Sequence, residues 1–128
     1  MSDKSVIRTE AAPAPFQGAP YSQAIAAGGF VFVSGQLGLN PGDTGISGGI
    51  GEQTEQVFAN LKAILEEAGT SLDRLVKTTV YLQRLDDFQT MNEVYARHVG
   101  ERPPARATVE VAQLPSGALV EIEAIALL

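Results

Sequence analysis

Three charged residues near the end of the chain have the types and spacing that could act on a small carboxylate. Arg106 opens an otherwise apolar run just after Pro103-Pro104-Ala105, and Glu121 and Glu123 stand two apart in the last apolar run. A guanidinium can hold a carboxylate through two parallel hydrogen bonds, which an ammonium cannot do. Side chains alternate along a strand, so both glutamates point to one face, where one could serve as a general base.

Both patterns also have a plainer interpretation, and spacing alone does not separate the two. Arg106 could face solvent and pair with a neighbouring acid, as exposed arginines commonly do. Alternating glutamates are also common on the wet face of a sheet.

Other catalytic or metal-binding groups are scarce. The chain has no cysteine, which excludes disulfides, thiolate catalysis and thiolate metal sites. The only histidine, His98, follows an apolar helical stripe without a companion ligand, so the sequence predicts a structural or surface role and no metal site. The glycines of residues 48–51 match neither a phosphate-binding loop nor a dinucleotide fingerprint.

Length and composition predict one globular domain covering residues 1–128. Hydrophobic residues make up 45% and charged residues 19% of the 128-residue chain, which is too apolar for general disorder. A net charge of −6 argues against a nucleic-acid partner. No apolar run approaches the ~18 residues of a membrane span, and the first residues do not resemble a signal peptide. We therefore expect a cytoplasmic protein without a membrane partner.

Two segments have the apolar spacing of helices. Residues 52–68 carry Val57, Phe58, Leu61, Ile64, Leu65 and Ala68 at that spacing, and Gly69 can provide a left-handed cap. A second helix is predicted up to Val99, with Phe88, Met91 and Tyr95 inward and with Asp86 and Gln89 as a capping box.

The remaining apolar segments predict strands. They cover residues 6–9, 22–27, 30–34, 75–82, 106–111 and 119–127. Gly28-Gly29 is a hairpin signal, and residues 38–51 contain six glycines, which is typical of a loop. The order β-β-β-α-β-α-β-β favours an α+β fold, with two helices on one face of a mixed sheet.

Several segments together resemble the RidA family, also called YjgF or UK114, over nearly the whole chain. They are Ala19-Pro20-Tyr21-Ser22-Gln23-Ala24, Val33-Ser34-Gly35-Gln36, residues 77–82, Pro104-Ala105-Arg106, Val109-Glu110-Val111, Leu114-Pro115 and residues 120–126. The resemblance implies a chorismate-mutase-like fold and a homotrimer with three clefts between subunits. It also implies hydrolysis of 2-aminoacrylate, 2-aminocrotonate and their imines to 2-keto acids and ammonia, without a metal or organic cofactor.

The resemblance also implies roles for single residues. Arg106 would bind the substrate carboxylate, Glu121 would act on the hydrolytic water, and Tyr21 would line the cleft. The chemistry of its hydroxyl makes Tyr21 a candidate to donate a proton or to position that water. The positions that would line or support the cleft are Ser34, Gly35, Asn92 and Thr108. The family often has Gly in place of Ala19, and some members have Cys in place of Thr108, which serves equally if the backbone N–H acts.

Two other functions remain open from the sequence. A non-catalytic protein could use the same cleft to bind a 2-keto acid, in which case Arg106 would matter and Glu121 would not. The second alternative is a protein-binding or ribonuclease role. The acidic net charge makes ribonuclease activity the least attractive of these functions.

Overall fold

The computed structural model, which describes residues 3–128, contains six strands and two α-helices in the order that the sequence predicts. They are β1 (Ser5–Ile7), β2 (Ala24–Ala27), β3 (Phe30–Leu37), α1 (Ile50–Glu67), β4 (Leu75–Leu82), α2 (Phe88–Val99), β5 (Ala105–Glu110) and β6 (Val120–Leu127). In this part of the chain, neither helix is long and apolar enough to cross a membrane.

All six strands join one mixed sheet in the order β1-β2-β3-β6-β4-β5. Only β4 and β5 are parallel; the other neighbours are antiparallel. A parallel pair needs a crossover connection, which α2 provides between these two strands. Strand β5 is last in the strand order, so it forms one edge of the sheet, and it follows α2 directly in the chain.

The core lies between one face of the sheet and the two helices, which pack against each other. Fully buried residues of α1 recur at helical spacing, namely Val57, Phe58, Leu61, Ile64 and Leu65. In β6 the buried positions alternate, and they are Val120, Ile122, Ala124 and Ala126. The sheet thus has a helix-covered face and an opposite face, which we call the open face.

The open face carries more apolar surface than an ordinary wet sheet. Its large exposed hydrophobic side chains come from four strands, and they are Val6, Phe30, Phe32, Val109 and Leu127. A sheet that faces water normally presents polar residues there. Several large apolar side chains exposed on one sheet face are typical of a protein–protein contact.

The strand boundary that differs most from the sequence prediction is the end of the third strand, and the other strand boundaries differ by at most two residues. Strand β1 covers Ser5–Ile7 instead of residues 6–9, and β3 continues to Leu37 instead of ending at Ser34. The extension of β3 passes through a bulge, where Ser34 and Gly35 interrupt the regular pairing. Small residues there suggest the end of a strand, although the chain in fact continues in the sheet beyond them.

The start of α2 also differs from the prediction. The expected capping box is wrong, because Asp87 is the N-cap and makes no side-chain cap bond, while Asp86 accepts a hydrogen bond from Arg84 at 3.1 Å. Met91 and Tyr95 are buried as expected. Phe88 is not, since 40% of it is exposed at the beginning of the helix.

Candidate active site

The bulge in β3 places Gly35 against the side chain of Glu121 in β6. Val33 pairs with Ala124 and Gln36 with Ile122, so two residues of β3 stand across from a single residue of β6. A methyl group added at Gly35 would lie 2.8 Å from Cδ of Glu121. That separation is shorter than two carbon atoms tolerate, so only glycine leaves room for this carboxyl group.

Four of the residues expected at the site line one open cleft of about 520 Å³, and they are Tyr21, Ser34, Gly35 and Glu121. The remaining wall is mostly apolar and comes from the end of β3 and from the segments between strands, namely Leu37, Phe16, Gln17, Ala19 and Pro115. A mostly apolar cleft with a few convergent polar groups is the usual form of a small-molecule site.

Tyr21 reaches the cleft from the loop that precedes β2. Its hydroxyl oxygen accepts a hydrogen bond from the backbone N–H of Phe16 at 2.6 Å. Beside it, Gln17 adopts a left-handed backbone conformation with φ of 54°, which is uncommon outside glycine. Because the Tyr21 oxygen is the acceptor in this bond, its own O–H can still donate into the cleft.

Ser34 acts mainly as a support. Its hydroxyl donates to the carbonyl of Ser22 at 2.6 Å, and its backbone N–H donates to the carbonyl of Gln23 at 2.9 Å. Both bonds tie the Tyr21 loop to β3. The single hydroxyl proton of Ser34 is used in this contact, so it cannot donate to a ligand at the same time.

The two glutamates of β6 share the open face but have different environments. The Tyr81 hydroxyl donates to Oε1 of Glu123 at 2.7 Å, and this bond raises the pKa of Tyr81. Burial raises the pKa of Glu121, and the negative charge of Glu123 raises it further. A carboxylate with a raised pKa is a stronger base than an ordinary glutamate, so Glu121 has the chemistry of a general base.

Arg106 lies on the helix-covered face, where Thr78 is its direct neighbour in β4. Its guanidinium carbon lies 4.7 Å from the centroid of the Tyr95 ring and 5.6 Å from that of Phe88. Within residues 3–128, no carboxylate lies within ion-pair distance of Arg106. The interpretation as a solvent-facing arginine paired with an acid is therefore wrong for the chain as described.

Two polar atoms on the same side of the sheet lack a hydrogen-bond partner within the described chain. They are Oδ1 of Asn92, in α2, and Oγ1 of Thr108, on the same face of β5 as Arg106. Leaving a buried polar group unpaired costs about 1–3 kcal/mol, so such atoms usually have a partner. Their position is consistent with a ligand or another chain at this edge of the sheet.

The expected site residues thus form two groups that do not meet within one chain. Tyr21, Ser34, Gly35 and Glu121 line the cleft, and Glu121 projects from the open face. Arg106, Thr108 and Asn92 lie on the helix-covered side of the sheet or on the helix itself. A single site that contains both Arg106 and Glu121 needs a second copy of the chain.

Three buried amide side chains that the sequence analysis did not single out hold the loops of this region. Gln23 bonds Thr9 and Pro13, Gln53 bonds Leu119 and Gly48, and Asn60 bonds Leu37 and Leu39. Gln53 and Asn60 fall in the apolar stripe of α1, at helical spacing with Val57 and Ile64. A polar residue inside an apolar stripe was the available signal, because a buried amide must find partners.

His98 has the structural role that the sequence predicts. Its ring stacks on Phe58 with centroids 4.6 Å apart, and Nε2 lies 2.5 Å from Oε1 of Glu55. Arg97 also donates to Glu55, at 2.9 Å. Hydrogen bonds from Arg97 and His98 lower the pKa of Glu55. This cluster links α1 to α2 and is not part of the cleft lining.

Comparisons with known proteins agree with this architecture. The family model described as Endoribonuclease L-PSP matches residues 9–128. A RutC family protein of Pyrococcus abyssi is 56% identical over 125 residues, covering 96% of both chains. The human 2-iminobutanoate/2-iminopropanoate deaminase is 41% identical over 125 residues, covering 97% of this chain and 90% of the human one.

A solved structure gives the same result for the fold. The crystal structure of RidA from the Antarctic bacterium Psychrobacter sp. PAMC 21119 superposes with a TM-score of 0.92 at 47% identity, covering 97% of this chain and 99% of that one. Family, sequence and fold therefore agree, and the chain belongs to the RidA family, whose members include proteins named as imine deaminases.

Proposed function

We propose that the protein is a homotrimeric 2-iminobutanoate/2-iminopropanoate deaminase, a hydrolase that acts on C–N bonds. It converts 2-imino acids and their enamine tautomers to 2-keto acids and ammonia in clefts between subunits. The observation that carries the proposal is the unpaired guanidinium of Arg106, placed on the opposite face of the sheet from Glu121. Each group is suited to one half of a site that neighbouring subunits would complete.

The exposed surface supports the trimer. The open face presents Phe32 and Val109 to solvent in the single chain. Burying apolar surface stabilises an assembly by about 25 cal/mol per Å². A cyclic arrangement would cover this face and set the Arg106 edge of one subunit beside the Glu121 cleft of the next.

Arg106 would hold the substrate by its carboxylate. No acid in the described chain forms an ion pair with its N–H groups, so no carboxylate competes with a ligand for the fork. Fixing the carboxylate orients the imine carbon toward the water that attacks it. The unpaired Oδ1 of Asn92, which can accept a hydrogen bond from the imine nitrogen, and the unpaired Oγ1 of Thr108, which can donate one, would supply further contacts at the same edge.

Glu121 would activate the water. It removes a proton as the water oxygen bonds to the electrophilic C2 of the protonated imine, which gives a carbinolamine. The carbinolamine nitrogen then takes up a proton from Glu121 or Tyr21, and the C–N bond breaks as ammonia leaves. The hydroxyl passes its proton back to the group that donated, which gives the carbonyl of the 2-keto acid. The Tyr21 hydroxyl, with its proton free to donate, would position the water or protonate the leaving nitrogen. General-base catalysis of this kind accelerates a reaction by about 10²–10⁴-fold.

A modest site of this kind needs no metal or organic cofactor, because a protonated imine is already electrophilic. We expect the reaction in the cytoplasm, where pyridoxal-phosphate-dependent dehydratases release such imines. The ribonuclease activity in the description of the family model is less well supported by this chain. Its net charge is −6, and His98 is engaged by Glu55.

A coupled assay tests the proposal. A serine or threonine dehydratase generates the imine, and formation of the keto acid is followed with and without the protein. Glu121→Gln should remove most of the acceleration. Glu123→Gln is the matched control, since it lies on the same face but is held by Tyr81, and it should keep most of the activity. Equal loss in both variants, or no acceleration by the wild type, would contradict the proposal.

A further inference from the structure

Arg106 is held by aromatic rings instead of by an acid, and the nearer ring is itself fixed. We infer that Tyr95, anchored by Thr78, is a positioning residue that sets the plane of the Arg106 guanidinium for binding a carboxylate. The inference rests on the proposed role of Arg106 and adds two residues to it. Neither Tyr95 nor Thr78 would touch the substrate.

The Tyr95 ring is constrained by several contacts. The residue is only 5% exposed, and its hydroxyl lies 2.6 Å from Oγ1 of the fully buried Thr78. The ring of Phe58 packs edge-on against it at 5.4 Å and 83°. The bond to Thr78 holds the hydroxyl end of the ring in place, and the Phe58 ring packed against it hinders rotation about its long axis, so its face keeps one orientation toward Arg106.

The anchor and the guanidinium belong to neighbouring strands. In the parallel pair of β4 and β5, Thr78 stands directly opposite Arg106. The contacts therefore run from Arg106 to the Tyr95 ring, from its hydroxyl to Thr78, and back through the sheet. Such a closed set of contacts fixes the guanidinium to the backbone from which it extends.

A ring suits this task better than a carboxylate would. An acidic partner would occupy the N–H groups that must form the fork with the substrate. A ring face attracts the cation through its quadrupole and leaves the N–H donors at the edge of the guanidinium free. With the guanidinium carbon 4.7 Å from the Tyr95 centroid, the charge is stabilised while its binding edge stays available.

The test measures the affinity of 2-oxobutyrate by calorimetry, together with kcat and KM for imine hydrolysis. Tyr95→Met keeps an apolar side chain of similar length but removes the ring, and it should weaken binding about tenfold. KM should rise by a similar factor with kcat within about twofold, because the contact acts in ground and transition states alike. Leu65→Ala is the control, since this buried α1 residue affects stability without a ring beside Arg106.

The anchoring bond has its own signature. Tyr95→Phe keeps the ring face and Thr78→Val keeps the shape, so each should weaken binding only about threefold. The double variant should be no weaker than either single one, because both changes remove the same bond. These two variants also serve if Tyr95→Met does not fold, and wild-type affinity in both would then overturn the inference.

Arg106→Ala separates the two proposals. If it abolishes binding while Tyr95→Met binds 2-oxobutyrate as the wild type does, the positioning role of Tyr95 is overturned and the proposed function stands. If Arg106→Ala itself binds normally, the proposed function fails and the inference fails with it. Both the proposed function and the positioning role are supported if 2-oxobutyrate binding is lost in Arg106→Ala, weakened in Tyr95→Met and unchanged in Leu65→Ala.

Discussion

The carboxyl group of Glu121 in β6 occupies the space that a side chain at Gly35 in β3 would need. The bulge brings the backbone of Gly35 to the carboxyl group of Glu121, so that a Cβ at position 35 would overlap it. The conformation of the proposed general base therefore depends on the absence of a side chain on the neighbouring strand.

Gly35→Ala should displace the Glu121 carboxyl group and reduce imine hydrolysis. The overlapping atoms are at the end of the partly buried Glu121 side chain, which can move aside, so we expect a loss of about tenfold or more in kcat/KM with little change in melting temperature. Gly45→Ala is the matched control, because a Cβ there meets nothing within 4 Å. Full activity in Gly35→Ala would mean that the position of Glu121 does not limit the reaction.

The pH dependence of kcat/KM should report the ionisation of Glu121. Burial and the charge of Glu123 raise its pKa above the ordinary value of 4.5, and a general base works only when deprotonated. Activity should therefore fall as the pH drops through this raised pKa. Glu123→Gln removes the repelling charge, so it should move the acid limb to lower pH. An unmoved limb in that variant would assign the ionisation to another group.

The assembly prediction concerns the open face. Light scattering at micromolar concentration should give about three times the 13.5 kDa mass of the chain. Phe32→Lys places a charge on the exposed apolar surface of the open face and should shift the population toward smaller species. Ala59→Lys, on the exposed side of α1, should leave the mass unchanged. A monomeric wild type would remove the basis for a site between subunits.

Substitution of Arg106 by lysine separates charge from geometry. Lys keeps the positive charge but cannot form two parallel hydrogen bonds in a fixed plane. Since a charge-assisted hydrogen bond is worth about 1.5–3 kcal/mol, Arg106→Lys should weaken the binding of 2-oxobutyrate by at least tenfold. Calorimetric titration beside a melting curve measures both effects. A lower melting temperature with unchanged affinity would indicate a structural role only.

Local sequence patterns were sufficient to predict most of the elements but not how residues meet. The spacing of Leu61, Ile64 and Leu65 predicts α1 because a helix with one apolar stripe must bury it. The alternation around Glu121 likewise predicts which face of β6 it occupies, and the structure confirms this.

Contacts between distant segments could not be predicted in this way. The fit of Gly35 against Glu121 depends on a bulge, and the approach of Tyr95 to Arg106 depends on the register of β4 and β5. Such contacts arise from tertiary packing, which local propensity does not contain. The Asp86 prediction failed for a local reason instead, because α2 begins one residue later, with Asp87 as the N-cap, and Asp86 accepts a hydrogen bond from Arg84.

Mixed trimers test most directly the central claim that Arg106 and Glu121 of neighbouring subunits form one site. Arg106→Ala and Glu121→Gln chains, each inactive alone, are co-expressed with different tags, and mixing is verified by mass spectrometry. In a cyclic trimer every mixed assembly regains one intact site, so random mixing should restore roughly a quarter of the wild-type kcat/KM. Mixed trimers no more active than the two parents would contradict the account.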